Sequence, residues 1–295
     1  MENYDSILTE QGAKDGKSFT PFDKDAWIQQ KQAERQSAFE RMDQTAAEIA
    51  TNGDLFQSCL DVMARFDRYS VGNILLLTSQ MPEATKLADF NTWKKSRCFI
   101  KKGENSIMLL EPGEEFRRED GSMGVNYNVK RVFDISQTTA VAAETKITHD
   151  PRRLLEALVR NAPCPIEIRN NPQAEYAARF DPQSRKIYVK QGLDADTLFR
   201  CITQEVAVAE YAKGHRKRSE CDFDASCIAY ILCKRFGVST DSFSFDKLPE
   251  RLSRTENKAV HAELDGIREI ANRLSEGMQQ MLAPRQRSDK NRDAR

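Results

Sequence analysis

The chain is poor in histidine, has no closely paired cysteines, carries no surplus of charge and contains no long apolar run. Each absence closes off a class of function. No segment approaches the roughly 20 apolar residues that a bilayer-spanning helix needs, and the polar, acidic opening MENYDSILTEQGAKDGKSFTPFDKD lacks the basic and apolar regions of a signal peptide. A cytoplasmic protein with no membrane partner is expected. Lys plus Arg and Asp plus Glu are both 45, so the whole molecule has no general attraction for nucleic acid or anionic lipid. Any such site has to be a local patch. The seven cysteines, Cys59, Cys98, Cys164, Cys201, Cys221, Cys227 and Cys233, are odd in number and form no CxxC pair. They fit reduced thiols, mostly buried as small apolar residues. The three histidines, His149, His215 and His261, show no metal-ligand spacing among themselves. No metal and no cofactor are expected.

With 295 residues and 39% hydrophobic content, the chain suits two domains with cores of their own and polar ends. Residues 1–22 read as a flexible leader. Helical spacing follows over 25–50, over GDLFQSCLDVMARF and over SVGNILLLTSQ. The period then changes. CFIKKGENSIMLLEP reads as two strands around a turn at Gly103, GEEFRREDGSMG as an exposed loop or hairpin tip, and GVNYNVKRVFDISQT as further strand. A first domain over 23–140 and a linker over 138–151 are expected. A second domain over 150–245 opens on the helix RRLLEALVRNAP and the strand IEIRN, followed by AEYAARF and RKIYVK joined through DPQS. A helix capped by Asp194 comes next, then one closed by Gly237. Over 250–283, Val260, Leu264, Ile267, Ala271, Leu274, Met278 and Met281 alternate spacings of four and three in an amphipathic helix. That seam either covers the protein's own body or forms a coiled-coil dimer, so a monomer or weak dimer is expected. Residues 284–295 read as a disordered basic tail. The fold class is α+β.

Two stretches carry candidate chemistry. In LFRCITQEVAVAEYAKGH, residues 198–215, the frame of a zinc-peptidase HExxH helix falls on Gln204, Glu205, Val206, Ala207 and Val208. The motif places two imidazoles four residues apart on one helix face, with a glutamate between them to take a proton from metal-bound water. The glutamate is here; the two ligand positions are Gln and Val. The second stretch runs from residue 86 to 102, where Lys86, Lys94, Lys95, Arg97, Lys101 and Lys102 face a single acid, Asp89. Phe90, Trp93 and Phe99 are interleaved with them. Basic side chains along phosphates and aromatic faces under unstacked bases are the means by which proteins hold single strands. The alternative is that the rings are core and the lysines a solvated face, and core is the preferred reading for Trp93 and, still more, for Phe99. Tyr69 and Asn73, four apart on one helix face, are either a packing pair or a base-contacting pair. The Gly-x-x-Gly of RREDGSMG is flanked by acids that would repel phosphate, so it reads as a plain turn.

Four elements occur in a fixed order in the first half: Tyr69, Ser70, Gly72 and Asn73; Phe90, Thr92 and Trp93; Lys102, Gly103 and Glu104; and the closing VFDISQT. In these the first half resembles the N-terminal single-stranded-DNA-binding domain of the ArdC family of antirestriction proteins. The second half, with its strand, DP turn, strand and QEVAVAEY helix, is similar to the metallopeptidase-like half of the same family and to ImmA/IrrE-like peptidases. In that group an acidic third ligand precedes an Ala-Tyr pair. Matching on Ala229 and Tyr230 puts Asp224 at that position, ahead of Glu220 and Asp222. The resemblance implies a zincin-like second domain whose remnant is Gln204, Glu205, Val208 and Asp224, and hence a pseudo-metallopeptidase rather than an enzyme. The rival is an active hydrolase with an unconventional metal site around Glu205. It also implies single-stranded DNA as partner, contacted by Tyr69, Asn73, Trp93, Lys94, Lys95, Arg97, Lys101 and Lys102. The setting implied is a mobile element whose incoming conjugative DNA is protected from restriction. A protein partner would dock on the peptidase-like domain or on the C-terminal helix.

Overall fold

The computed structural model describes residues 23–118, 120–141, 149–169 and 176–283. The leader, the basic tail and residues 142–148 of the linker lie outside the described residues. Helix α1, Lys24–Ile49, starts where the Asp23 carboxylate accepts hydrogen bonds from the N–H groups of Asp25 and Ala26. Its buried residues, Ala38, Thr45, Ala46 and Ile49, all fall in its second half. Helix α2, Gly53–Arg65, is capped by Asn52 and buries Phe56, Leu60 and Met63. Helix α3, Val71–Gln80, is capped by Ser70 and buries almost its whole circumference.

Three strands complete the first half: β1, Leu87–Ala88, then after the short helix α4, Phe90–Lys95, the long pair β2, Ile107–Arg117, and β3, Met123–Asp134. They form an antiparallel sheet in the order β1-β3-β2. The expected strand before Gly103 shrinks to one bridge between Ile100 and Thr138. The expected loop at 113–124 is mostly strand, because the ladder resumes beyond an irregularity between Pro112 and Glu115 and runs on to Arg117 and Met123. The turn itself is tight, with Gly121 at φ +84°.

Helix α3 closes the open edge of β2. Asn73 donates through Nδ2 to the Leu110 carbonyl and accepts from the Leu110 N–H, both at 2.8 Å. Two turns later Gln80 repeats the pattern on Met108, both bonds at 2.9 Å. Two amide side chains thus stand in for a missing neighbouring strand.

In the second half α5, Pro151–Arg160, leads to β4, Ile166–Arg169, then β5, Ala178–Asp181, and β6, Lys186–Lys190. The sheet order is β4-β6-β5, with β4 parallel and β5 antiparallel to β6. Helices α6, Ala195–Lys213, and α7, Arg218–Phe236, follow, the first capped by Asp194 and the second ended by Gly237 in the left-handed region, as expected. The short α8, Glu250–Arg254, precedes α9, Asn257–Leu282. The α9 seam is buried from Val260 to Met278 against α5 and α7, which leaves this face unavailable for a coiled coil; only Met281 is exposed.

The halves share one continuous apolar core, and α2 meets α7 across it. Tyr230, from the Ala-Tyr pair, is fully buried and donates its hydroxyl to Asp61 at 2.8 Å. Arg235 donates to the Met63 and Ala64 carbonyls at the end of α2, and burial lowers its pKa to about 10. Gly53 lets the chain pass so close to the Phe245 backbone that a Cβ would collide with the carbonyl. The fold is α+β, with small sheets set among helices.

Candidate nucleic-acid interface and the acid pair of the second half

The cationic stretch forms on and after α4. Asp89 caps that helix, and hydrogen bonds from Thr92 hold its carboxyl below the usual range. One turn of helix turns Trp93 inward and leaves Phe90 out. Trp93 is only 4% exposed and its Nε1 donates to the Phe133 carbonyl at 2.9 Å. Neither ring face is open to a base, which corrects its assignment as a DNA-contacting residue. Lys86 lies over that ring at 5.9 Å. Phe90 and Phe99 are 54% and 59% exposed, so the expectation that Phe99 is core is also corrected. Phe99 sits outside because its backbone is taken up by Thr139, which accepts from its N–H at 3.0 Å and donates to its carbonyl at 2.8 Å.

Lys94, Lys95, Arg97, Lys101 and Lys102 are all exposed. None forms an ion pair among the described residues; Lys101 donates to the neutral Ser136 carbonyl at 2.8 Å. Arg97 takes φ +57°, the left-handed turn that ends α4.

An open groove of about 550 Å³ runs beside the start of α4, lined by Arg68, Tyr69, Asp89, Thr92, Tyr127 and Lys130 among others. Tyr69 is half-buried, its ring parallel to Phe66 at 5.3 Å. Burial pushes its hydroxyl pKa up, with Lys130 pulling the other way. Lys130 is tied to Glu111 at 2.9 Å, which raises its own pKa. Asn73 also borders the groove, but both ends of its amide are used on Leu110. This corrects its reading as a free base-contacting group: the amide is part of the scaffold. Since α4 is six residues long, about 9 Å, the groove-lining Thr92 and the cations at its far end are close neighbours.

Other residues carrying the family resemblance prove to be scaffold. Asp134 is buried, and although burial opposes ionisation, the N–H groups of Ser136, Lys86 and Thr85 hold its carboxyl below the usual range. Gln137 reaches Glu104 at 3.1 Å and the Asn105 carbonyl at 2.8 Å, pinning the turn at Gly103. Lys130, Arg68 and Tyr127 were missed by sequence reading, since a lysine and a tyrosine on a strand carry no motif.

In the second half, Glu205 on α6 and Asp224 on α7 are both buried, and both are paired with arginine. Glu205 accepts from the Phe180 N–H at 2.6 Å and pairs with Arg218. Asp224 pairs with Arg251 at 2.5 Å and with Arg216 at 2.9 Å, the second off the hydrogen-bonding direction. Burial, with Glu263 nearby, pushes the Asp224 carboxyl up to about 7 against the pull of both arginines. Val208 is buried in the core and Gln204 is half-buried on the same helix. This donor set does not fit a metal ion: the ligand positions offer an amide and an isopropyl group, and guanidinium charge already balances the acids. No group of three His, Cys, Asp or Glu suited to a metal occurs among the described residues. Cys59, Cys221, Cys227 and Cys233 are buried, and burial raises Cys59 to about 12.

Fold and site together define an α+β protein in which a groove with a cation-rich exposed turn is joined to a second half whose buried helical acids are paired with arginines. Residues 22–144 match the family model for the N-terminal domain of the anti-restriction factor ArdC. The chain is ArdC-like over that first half, where the match to the ArdC N-terminal domain lies. Its fold is similar to the metal-free crystal structure of the antirestriction ArdC protein from plasmid R388, with TM-score 0.50, 16% identity, and coverage of 72% of this chain and 86% of that one. The Mn(II)-bound structure of the same protein gives TM-score 0.48 and 14% identity over 71% and 85%. A Bacillus anthracis protein named as uncharacterized protein pXO2-81 is 26% identical over 64% of this chain. The chain spans 41% of the length of that relative. No described helix is long and apolar enough to cross a membrane.

Proposed function

We propose that this chain binds single-stranded DNA without sequence preference through its ArdC N-terminal domain, and that it acts against restriction, as the names of its ArdC relatives state of them. The observation that carries the reading is the run Lys94, Lys95, Arg97, Lys101 and Lys102: exposed cations with no acidic partner among the described residues, flanked by the exposed rings of Phe90 and Phe99, in a chain of zero net charge. The cations take the phosphates, and each exposed ring contributes about 1–3 kcal/mol by stacking on a base. The groove beside α4 receives one base on Tyr69, whose ring is held from behind by Phe66. Its 550 Å³ lies within the ~300–1,000 Å³ usual for small-molecule sites.

The second half serves as a scaffold or protein-contact surface without hydrolytic activity. Support comes from the arginines on Glu205 and Asp224, which occupy the charge role a catalytic cation would have. The biological setting is DNA that enters a cell as a single strand from a mobile element. Conjugative transfer into a restricting recipient tests this. Recipients expressing the protein should retain more transferred DNA than those expressing the Lys94→Ala/Lys95→Ala/Lys101→Ala/Lys102→Ala variant; equal survival with and without the protein contradicts the proposal.

A further inference from the structure

Among the described residues the second sheet ends on an open strand. The Pro165 carbonyl accepts from the Ile187 N–H at 2.9 Å, so in the parallel pair β4–β6 residues 165, 167 and 169 turn their backbone groups toward β6. Ile166 and Ile168 therefore point theirs away from the sheet. Among the described residues no backbone hydrogen bond meets that outer edge. Ile168 is 72% exposed and borders an apolar groove of about 340 Å³ shared with Leu155 and Val159 of α5 and Leu198 and Ile202 of α6. An unblocked edge with an apolar face is a template for strand pairing.

The sequence of that edge complements itself. Set antiparallel to an identical strand about Ile168, the segment Ile166-Glu167-Ile168-Arg169 places Ile168 opposite Ile168 of the second copy and Glu167 opposite Arg169 of the second copy. The charged residues lie on the opposite face from the isoleucines, where Glu167 meets Lys186 at 2.5 Å and Arg169 covers the Tyr188 ring at 3.3 Å. Both remain exposed and able to take a partner across the seam. A foreign peptide would gain the same backbone bonds without the matched charges.

The geometry points to β4 as a dimerisation edge, its occupant a second copy of this chain related by a two-fold axis through Ile168. The result is a six-stranded sheet, β5-β6-β4-β4-β6-β5, with the two α5 helices side by side and Val159 at their contact. Such an isologous closure consumes the β4 edge of both copies.

Sedimentation of the full chain over a concentration series tests the pairing. The wild type should dimerise reversibly, and Ile168→Lys, an exposed change that opposes two cations at the axis, should move the midpoint upward by at least about ten-fold. A hydrogen-bonded antiparallel pair has Cα atoms about 5.5 Å apart, within disulfide reach. Ile168→Cys should therefore oxidise to a covalent dimer that reductant reverses. Glu167→Cys should not, because its two copies would stand about 8 Å apart. A chain that stays monomeric, a dimer indifferent to Ile168→Lys, or equal cross-linking at 167 and 168 overturns the proposal.

Discussion

Replacing Asn73 by Ala separates scaffold from interface in the first half. The side chain makes two hydrogen bonds to Leu110, each 2.8 Å, and Leu110 is buried on the edge strand β2. Truncation leaves one backbone donor and one acceptor without partners, at about 1–3 kcal/mol each. The groove beside Asn73 admits water, which offsets part of that loss, so the expected destabilisation is about 2–4 kcal/mol. Urea titration followed by circular dichroism reads it. Asn73→Asp keeps the acceptor for the Leu110 N–H and loses the donor, and should fall between wild type and Ala. Under conditions where the Ala variant remains folded, its affinity for an oligonucleotide should stay within about two-fold of wild type, since no base contact has been lost. Unchanged stability with a large loss of affinity would refute the reasoning, because the amide would then be serving the ligand rather than β2.

Two further contrasts follow from the same structure. Trp93→Ala should destabilise by about 3–5 kcal/mol, whereas Phe99→Ala should leave the urea midpoint nearly unchanged and weaken single-strand binding by about 1–3 kcal/mol; the reverse pattern would return Trp93 to the interface. The pH dependence of stability should carry the mark of Asp224. Its folded pKa of about 7 lies above the usual carboxylate range, so the folded chain holds a proton that the unfolded chain has released, and this contribution is present at low pH and lost as pH rises through about 7. Glu263→Gln keeps the hydrogen bond to Arg251 and removes the competing negative charge, so the decline in urea midpoint between about pH 5 and pH 8 should flatten. A decline of equal size in both proteins would contradict this assignment.

Helices with strong local signals were legible in the sequence. Asp194 and Gly237 stand where a cap and a left-handed terminator were expected, and the α9 seam lies on the protein's own body. The ends of the β2–β3 ribbon were not, because GEEFRREDGSMG is polar on both faces and carries no alternation once a strand leaves the core. The same limit governs the site. Local sequence marks the cations of 94–102, but which of three interleaved rings turns inward depends on partners distant in the chain, Phe133 for Trp93 and Thr139 for Phe99. Asn73 and Gln80 gave no sign of serving β2, since their partners lie 37 and 28 residues away. Charge cancellation at Glu205 and Asp224 was equally hidden. Arg218 and Arg251 have no motif that announces them; only the missing histidines did.

Fluorescence-anisotropy titration of a labelled single strand against salt tests the central claim most directly. Five cations engaging phosphates give a slope of log affinity against log salt of about −3.5, from about −0.7 per contact on single strands. Lys94→Ala with Lys101→Ala should make that slope shallower by about 1.4, and duplex of the same length should bind more weakly. Absence of single-strand binding, or a slope that the double substitution leaves unchanged, would contradict the account.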